Sequence, residues 1–67
     1  MTVLNTLELT GVSADGWSDA AREAISEAAK TIRNINKVEI LATRALIEGS
    51  TITEYHTDVR LYFEVER

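Results

Sequence analysis

The last third of the sequence alternates apolar and polar side chains, which is the pattern of a β-strand with one buried face. The apolar positions are Tyr55, Val59, Leu61, Phe63 and Val65. The polar positions between them are Glu54, His56, Asp58, Arg60, Tyr62 and Glu64. Because Glu48, Gly49 and Ser50 form a turn signal just before this strand, we predict a long hairpin with arms at residues 37–47 and 52–66.

The first half of the chain predicts a strand followed by a helix. Residues 2–10 favour the strand, residues 11–16 a loop, and Ser13 or Asp15 is the expected cap of the helix. Residues 16–34 repeat apolar side chains at helical spacing: Trp17, Ala21, Ala24, Ile25, Ala28, Ile32 and Ile35. Since this stripe is mostly alanine, the helix axis is expected to lie close to a sheet.

The predicted fold is α+β, with the element order β-α-β-β in one domain over residues 1–67. A right-handed crossover makes the first two strands parallel, so the sheet is fully antiparallel if the last strand lies between them. The helix, about 27 Å long, is too short for hairpin arms of about 35–50 Å. We therefore expect other subunits to cover the rest of the sheet.

Composition narrows the partners of this chain. It is 67 residues long without cysteine, so neither a disulfide nor a thiolate metal site can stabilise it, and oligomerisation is the remaining means. Seven basic against eleven acidic side chains give a net charge of -4, which argues against nucleic acid. No apolar run is long enough to span a membrane and no secretory leader is recognisable, so we expect a cytoplasmic protein.

The order of residues resembles the dodecins, a family of small β-α-β-β proteins that assemble as hollow dodecamers. The resemblance covers nearly the whole chain. It rests on Leu9-Thr10-Gly11-Val12-Ser13, the alanine-rich helix, Lys30-Thr31-Ile32-Arg33, Val38-Glu39-Ile40, Glu54-Tyr55-His56, and Val59-Arg60-Leu61-Tyr62-Phe63-Glu64-Val65. It implies a homododecamer that stores or sequesters a small ligand.

The resemblance also places a candidate ligand site. Flavin-binding dodecins carry a tryptophan that stacks on the isoalloxazine ring, and Lys37 stands at that position here. Their flavin-binding glutamine corresponds to His56, and Arg44 matches an arginine near the ligand. Because lysine offers no π face, we expect FMN or riboflavin to bind weakly or not at all. The ligand is then another small planar molecule, or none.

A second branch of the family lacks that tryptophan and has been associated with calcium. This chain shares its Ser-x-x-x-Trp pattern in Ser13 to Trp17. Glu54, His56 and Asp58 point to one side of the last strand, so Glu54 and Asp58 are candidate ligands of a divalent cation if symmetry multiplies them. The alternative function is therefore a calcium-stabilised structural assembly without an organic ligand.

Two further readings complete the expectations. Trp17 predicts a hydrophobic plug at the start of the helix, with a ligand-stacking platform as the alternative. The sequence contains no nucleophile elbow, phosphate-binding loop or cofactor fingerprint, so we do not expect an enzyme.

Overall fold

The computed structural model describes residues 2–65. Strand β1 spans Val3–Ser13, helix α1 spans Trp17–Ala29, strand β2 spans Ile35–Glu48 and strand β3 spans Thr51–Val65. The sheet order is β1-β3-β2, and β3 pairs antiparallel with both neighbours. The predicted β-α-β-β order and the fully antiparallel sheet are confirmed. Glu66, the last residue of the predicted strand, lies outside the described residues.

Strand β1 continues past Gly11, where the sequence predicted a loop. Gly11 pairs with Thr57, and the strand ends only at Ser13. A Cβ atom at Gly11 would lie 1.7 Å from the carbonyl oxygen of Ala20, so only glycine lets the helix backbone approach the strand this closely. Gly11 therefore serves helix packing here, and the prediction that it ends the strand was wrong.

Helix α1 is shorter than predicted at its C-terminal end. It ends at Ala29 instead of residue 34, and the amides of Thr31 and Ile32 both donate to the carbonyl of Ala28 in a closing turn. Asn34 adopts a positive φ of 64°, a conformation that asparagine tolerates better than most residues and that turns the chain into β2.

The cap of α1 also differs from the prediction. Gly16 occupies the N-cap position, and no side chain caps the helix. The Ser13 hydroxyl instead accepts a hydrogen bond from the Asp15 amide at 2.9 Å and donates to the Asp19 carboxylate at 2.7 Å. Ser13 thus organises the loop before the helix.

The core lies between α1 and the β1–β3 half of the sheet. Ala20, Ala24 and Ala28 are buried on the helix, and Val59 and Leu61 are fully buried on β3. The predicted apolar face of β3 and the small-residue contact of the helix are confirmed, with Ala20 added to the expected stripe. Partly buried side chains surround this core: Leu9, Ala21, Ile25, Ile32 and Ile35.

The hairpin extends well beyond the helix. The chain measures 52 × 20 × 12 Å, whereas a 13-residue helix is about 20 Å long. Its radius of gyration is 13.8 Å, against about 11 Å for a compact domain of this length. Apart from Ile35 and Ala45, which are partly buried, every residue of β2 is exposed. A single subunit therefore leaves one long strand uncovered.

Candidate ligand-binding face

The sheet face that points away from α1 carries the candidate site, and we call it the open face. It consists of the even-numbered positions of β3 from Glu54 to Glu64 and their partners on the neighbouring strands. Five residues that the sequence singled out lie on it: Lys37, Arg44, Glu54, His56 and Asp58. Their side chains form two separate clusters along the strand.

The first cluster is centred on Asp58. The guanidinium of Arg44 donates to both carboxylate oxygens, at 2.9 and 2.6 Å, and the Thr10 hydroxyl donates to one of them at 2.7 Å. The bond from Arg44, assisted by that from Thr10, holds the pKa of the Asp58 carboxyl well below its usual range. Asp58 in turn raises the pKa of Arg44. This pair clamps all three strands together within one chain.

His56 lies beside that cluster and directly opposite Arg44 in the sheet register. Its Nε2 atom is 3.0 Å from a carboxylate oxygen of Glu54. The acidic row predicted on this strand therefore exists as two engaged carboxylates, Glu54 with His56 and Asp58 with Arg44. Within residues 2–65, no three His, Asp or Glu side chains come together in an arrangement that could hold a metal ion. A cation site on this row needs ligands from more than one subunit.

The second cluster surrounds Tyr62 and was not anticipated from the sequence. The Lys37 ammonium lies 4.1 Å from the centre of the Tyr62 ring, a cation–π contact. The Tyr62 hydroxyl donates to Glu39, and this bond is the main cause that lowers the pKa of the Glu39 carboxyl. The lysine at the family's tryptophan position therefore already has an aromatic partner.

Arg60 connects this second cluster across the sheet. Its Nη2 and Nε atoms donate to Glu8 on β1 at 3.0 and 3.2 Å, and its Nη1 atom donates to Glu39 on β2 at 3.3 Å. The bond to Glu8 is the first cause of a raised pKa at Arg60. The signal was present in the sequence, because Glu8 and Arg60 both fall on the polar side of their strands. Only the register of the sheet shows that they meet.

The two clusters do not form one pocket within a single chain. Tyr62 and His56 are six residues apart on β3, which corresponds to about 20 Å. Between them lies an open depression of about 250 Å³, lined by Glu8, Leu9, Thr10, Leu41, Asp58 and Val59. Lys37 can therefore meet Arg44 and His56 around one ligand only if a second subunit supplies part of the set.

Trp17 lies on the other side of the sheet, at the start of the helix. Its indole N–H donates to the carbonyl oxygen of Arg44 at 3.1 Å, and its ring meets Tyr55 edge-on with centroids 4.8 Å apart. The side chain is 44% exposed, so it is fixed in position but only half covered. The predicted plug is therefore incomplete within one subunit.

No helix in the described part of the chain combines the length and the apolar character needed to cross a bilayer.

The fold and the open face define a class of protein: a small α+β subunit with one uncovered strand and a polar sheet face accessible to small molecules or to other subunits. Comparison with known families is more specific. The family model for dodecins matches residues 3–66, so the chain belongs to the dodecin family. No curated protein matches the sequence.

Solved structures agree with that assignment. The dodecin from Streptomyces coelicolor superposes with a TM-score of 0.94 at 27% identity, over 98% of this chain and 94% of that one. A mutant of the Thermus thermophilus dodecin superposes with a TM-score of 0.95 at 28% identity, over the whole of both chains. The calcium dodecin from Mycobacterium tuberculosis, a calcium-chelating antigen with a novel calcium-binding site, has a TM-score of 0.83 at 20% identity, over 96% and 91% of the two chains. At that identity the likeness shows the fold alone.

Proposed function

We propose that this chain assembles as a hollow homododecamer that binds and stores a small planar ligand, and that flavin is a poor ligand for it. The observation that carries the proposal is the contact between Lys37 and Tyr62 on the open face. The resemblance to flavin-binding dodecins puts a stacking tryptophan at the position of Lys37. The role is binding rather than catalysis.

Self-assembly is supported by the exposure of β2. Ile40 is 55% exposed and Ile47 is 66% exposed, although both lie in the longest ladder of the sheet. Burial of an isoleucine side chain is worth about 2 kcal/mol, so a chain this small has a strong reason to cover them. Other large apolar side chains add to this surface: Val38, Leu41, Leu46 and Ile52.

The weak flavin affinity follows from the chemistry of Lys37. A flavin ring gains stacking energy from an indole face, whereas an ammonium group offers charge and no π surface. Because the ammonium already lies over Tyr62, a flavin that stacked on that tyrosine would have to displace it. His56 still provides a hydrogen-bonding group at the position of the family's glutamine, and Arg44 lies across from it.

Substitution of Lys37 by tryptophan tests this proposal. We expect Lys37→Trp to bind FMN and riboflavin at least about fivefold more tightly than the wild type, as measured by quenching of flavin fluorescence. Lys30→Trp on the exposed surface of the helix is the matched control and should not change flavin binding. If Lys37→Trp assembles normally but binds flavin no better than the wild type, this position does not control flavin binding.

A calcium-stabilised assembly is the second candidate function. Its support is the acidic row of Glu54 and Asp58 on the open face, in a chain with eleven acidic side chains and seven basic ones. Symmetry-related copies could together supply the six to eight oxygen ligands that calcium prefers. We expect chelator to lower the melting temperature, calcium to restore it, and Glu54→Gln to abolish the response. A melting temperature that ignores both chelator and calcium would eliminate this function.

A further inference from the structure

A groove runs between α1 and β2 on the helix side of the sheet, opposite the open face. It exists because the glycine at position 11 lets the helix move over β1, where Ala20, Ala24 and Ala28 are buried. The helix consequently rests on β1 and β3 and hardly touches β2. The space left open measures about 340 Å³, within the size range of small-molecule sites.

The walls of this groove are apolar and its floor has no free hydrogen-bonding group. Trp17 is 44% exposed on the helix side, and Ile40 is 55% exposed on the β2 side. The fully buried Thr57 forms the floor, and its hydroxyl donates to the carbonyl of Trp17 at 2.9 Å. Such a groove gains most from a flat apolar group that slides between the indole and the isoleucine.

The indole is held in place before any ligand arrives. Its N–H donates to the Arg44 carbonyl, and Tyr55 packs against it edge-on at an angle of 79°. Since both contacts fix the ring plane, a ligand that stacks on Trp17 would not have to order the side chain first.

The groove carries one formal charge, and it is positive. Arg22 lies on its rim, and none of its lining residues is acidic although the chain as a whole carries a net charge of -4. Arg44 and Arg60 are both in ion pairs, whereas Arg22 forms none with any residue of the range 2–65. A guanidinium beside an apolar wall binds a carboxylate through paired, charge-assisted hydrogen bonds.

We propose that this groove is a second small-molecule site and that it takes a planar aromatic carboxylate. The aromatic ring lies between Trp17 and Ile40, and the carboxylate pairs with Arg22. The Ser18 and Thr43 hydroxyls, which also line the groove, are within the same space. The site is independent of the proposed open-face function, because none of its residues belongs to either open-face cluster.

The test uses the intrinsic fluorescence of Trp17, the only tryptophan of the chain. The probes are 4-nitrobenzoate and 4-nitrobenzamide, two quenchers of the same shape that differ in charge. With the assembled protein we expect saturable quenching by the carboxylate, at an affinity about fivefold or more above that of the amide.

Variants of two exposed arginines separate the proposed pairing from general charge. Arg22→Gln should lower the affinity for 4-nitrobenzoate about fivefold and leave that for 4-nitrobenzamide unchanged. Arg33→Gln removes the same charge outside the groove and should change neither. The proposal is overturned if the two probes bind equally, if Arg22→Gln binds the carboxylate as well as the wild type, or if quenching never saturates. The last result would also be seen if a neighbouring subunit filled the groove.

Discussion

β3 and β2 pair along nearly their whole lengths, but they lie in opposite environments. β3 buries Val59 and Leu61 completely under the helix, whereas all of β2 except Ile35 and Ala45 is exposed. The difference follows from the helix, which packs on β1 and β3 and leaves β2 uncovered. We infer that one half of the subunit is complete within the chain and that the other half is completed by additional copies.

The largest expected effect comes from the buried half. Leu61→Ala removes a fully buried side chain and leaves a cavity, so we expect a loss of about 3 kcal/mol in the free energy of unfolding. Urea unfolding at a fixed subunit concentration measures this loss. The comparison would be broken if Leu61→Ala cost no more than an exposed alanine substitution such as Glu23→Ala.

A smaller effect, of about 2 kcal/mol, is expected from Gly11→Ala. The new methyl group would overlap the Ala20 carbonyl, so the helix must move away from β1. Gly16→Ala is the control, because a Cβ atom there meets nothing within 4 Å. Thermal unfolding followed by circular dichroism distinguishes the two. Equal melting temperatures would show that close helix approach does not depend on Gly11.

On β2 the expected effect is on assembly. Ile47 is 66% exposed, so Ile47→Ser removes no intrachain core contact but does remove apolar surface that a neighbour would cover. We expect the concentration at which the assembly dissociates to rise about tenfold, as measured by sedimentation velocity over a dilution series. Lys30→Ser on the outer helix surface should leave it unchanged. An Ile47→Ser assembly that dissociates like the wild type would mean that this end of β2 stays in solvent.

The smallest effect concerns the ion pair that joins the two halves. Because the pKa of Asp58 lies below its ordinary range, its carboxylate stabilises the fold above about pH 4, and that contribution is lost as the pH falls. Asp58→Asn should therefore be less stable than the wild type at pH 7, and the difference should shrink as the pH falls from about 4 towards 2. Asp15→Asn, without an ion pair among residues 2–65, is the control. A difference that persists at pH 2 would contradict this account.

Local patterns in the sequence predicted the parts of the fold that depend on neighbouring residues. The alternation around Val59 and Leu61 predicted the face of β3 that is buried, and the helical spacing of Ala24 and Ala28 predicted the helix contact. The limits of α1 and β1 were less predictable. Asn34 ends the helical path through a backbone turn, and Gly11 stays in its strand because Ala20 packs on it from ten residues away in sequence, so both depend on tertiary contacts.

The candidate site was predictable in its members but not in their partners. The polar side of β3 could be recognised from the sequence, which brought His56 and Asp58 to attention. Pairing Arg44 with Asp58, or Lys37 with Tyr62, requires the register of β2, and this register shifts between Ile35 and Lys37 and again between Ile40 and Ala42. Such irregularities have no reliable signal in one sequence.

The oligomeric state tests the central inference most directly. We expect native mass spectrometry of the purified protein to show twelve subunits, with no folded monomer at any dilution, because β2 is stable only when other copies cover it. Visible absorption of the same sample should show no bound flavin. A folded monomer that persists on dilution would contradict the account, since it would show that a single chain is stable with β2 exposed.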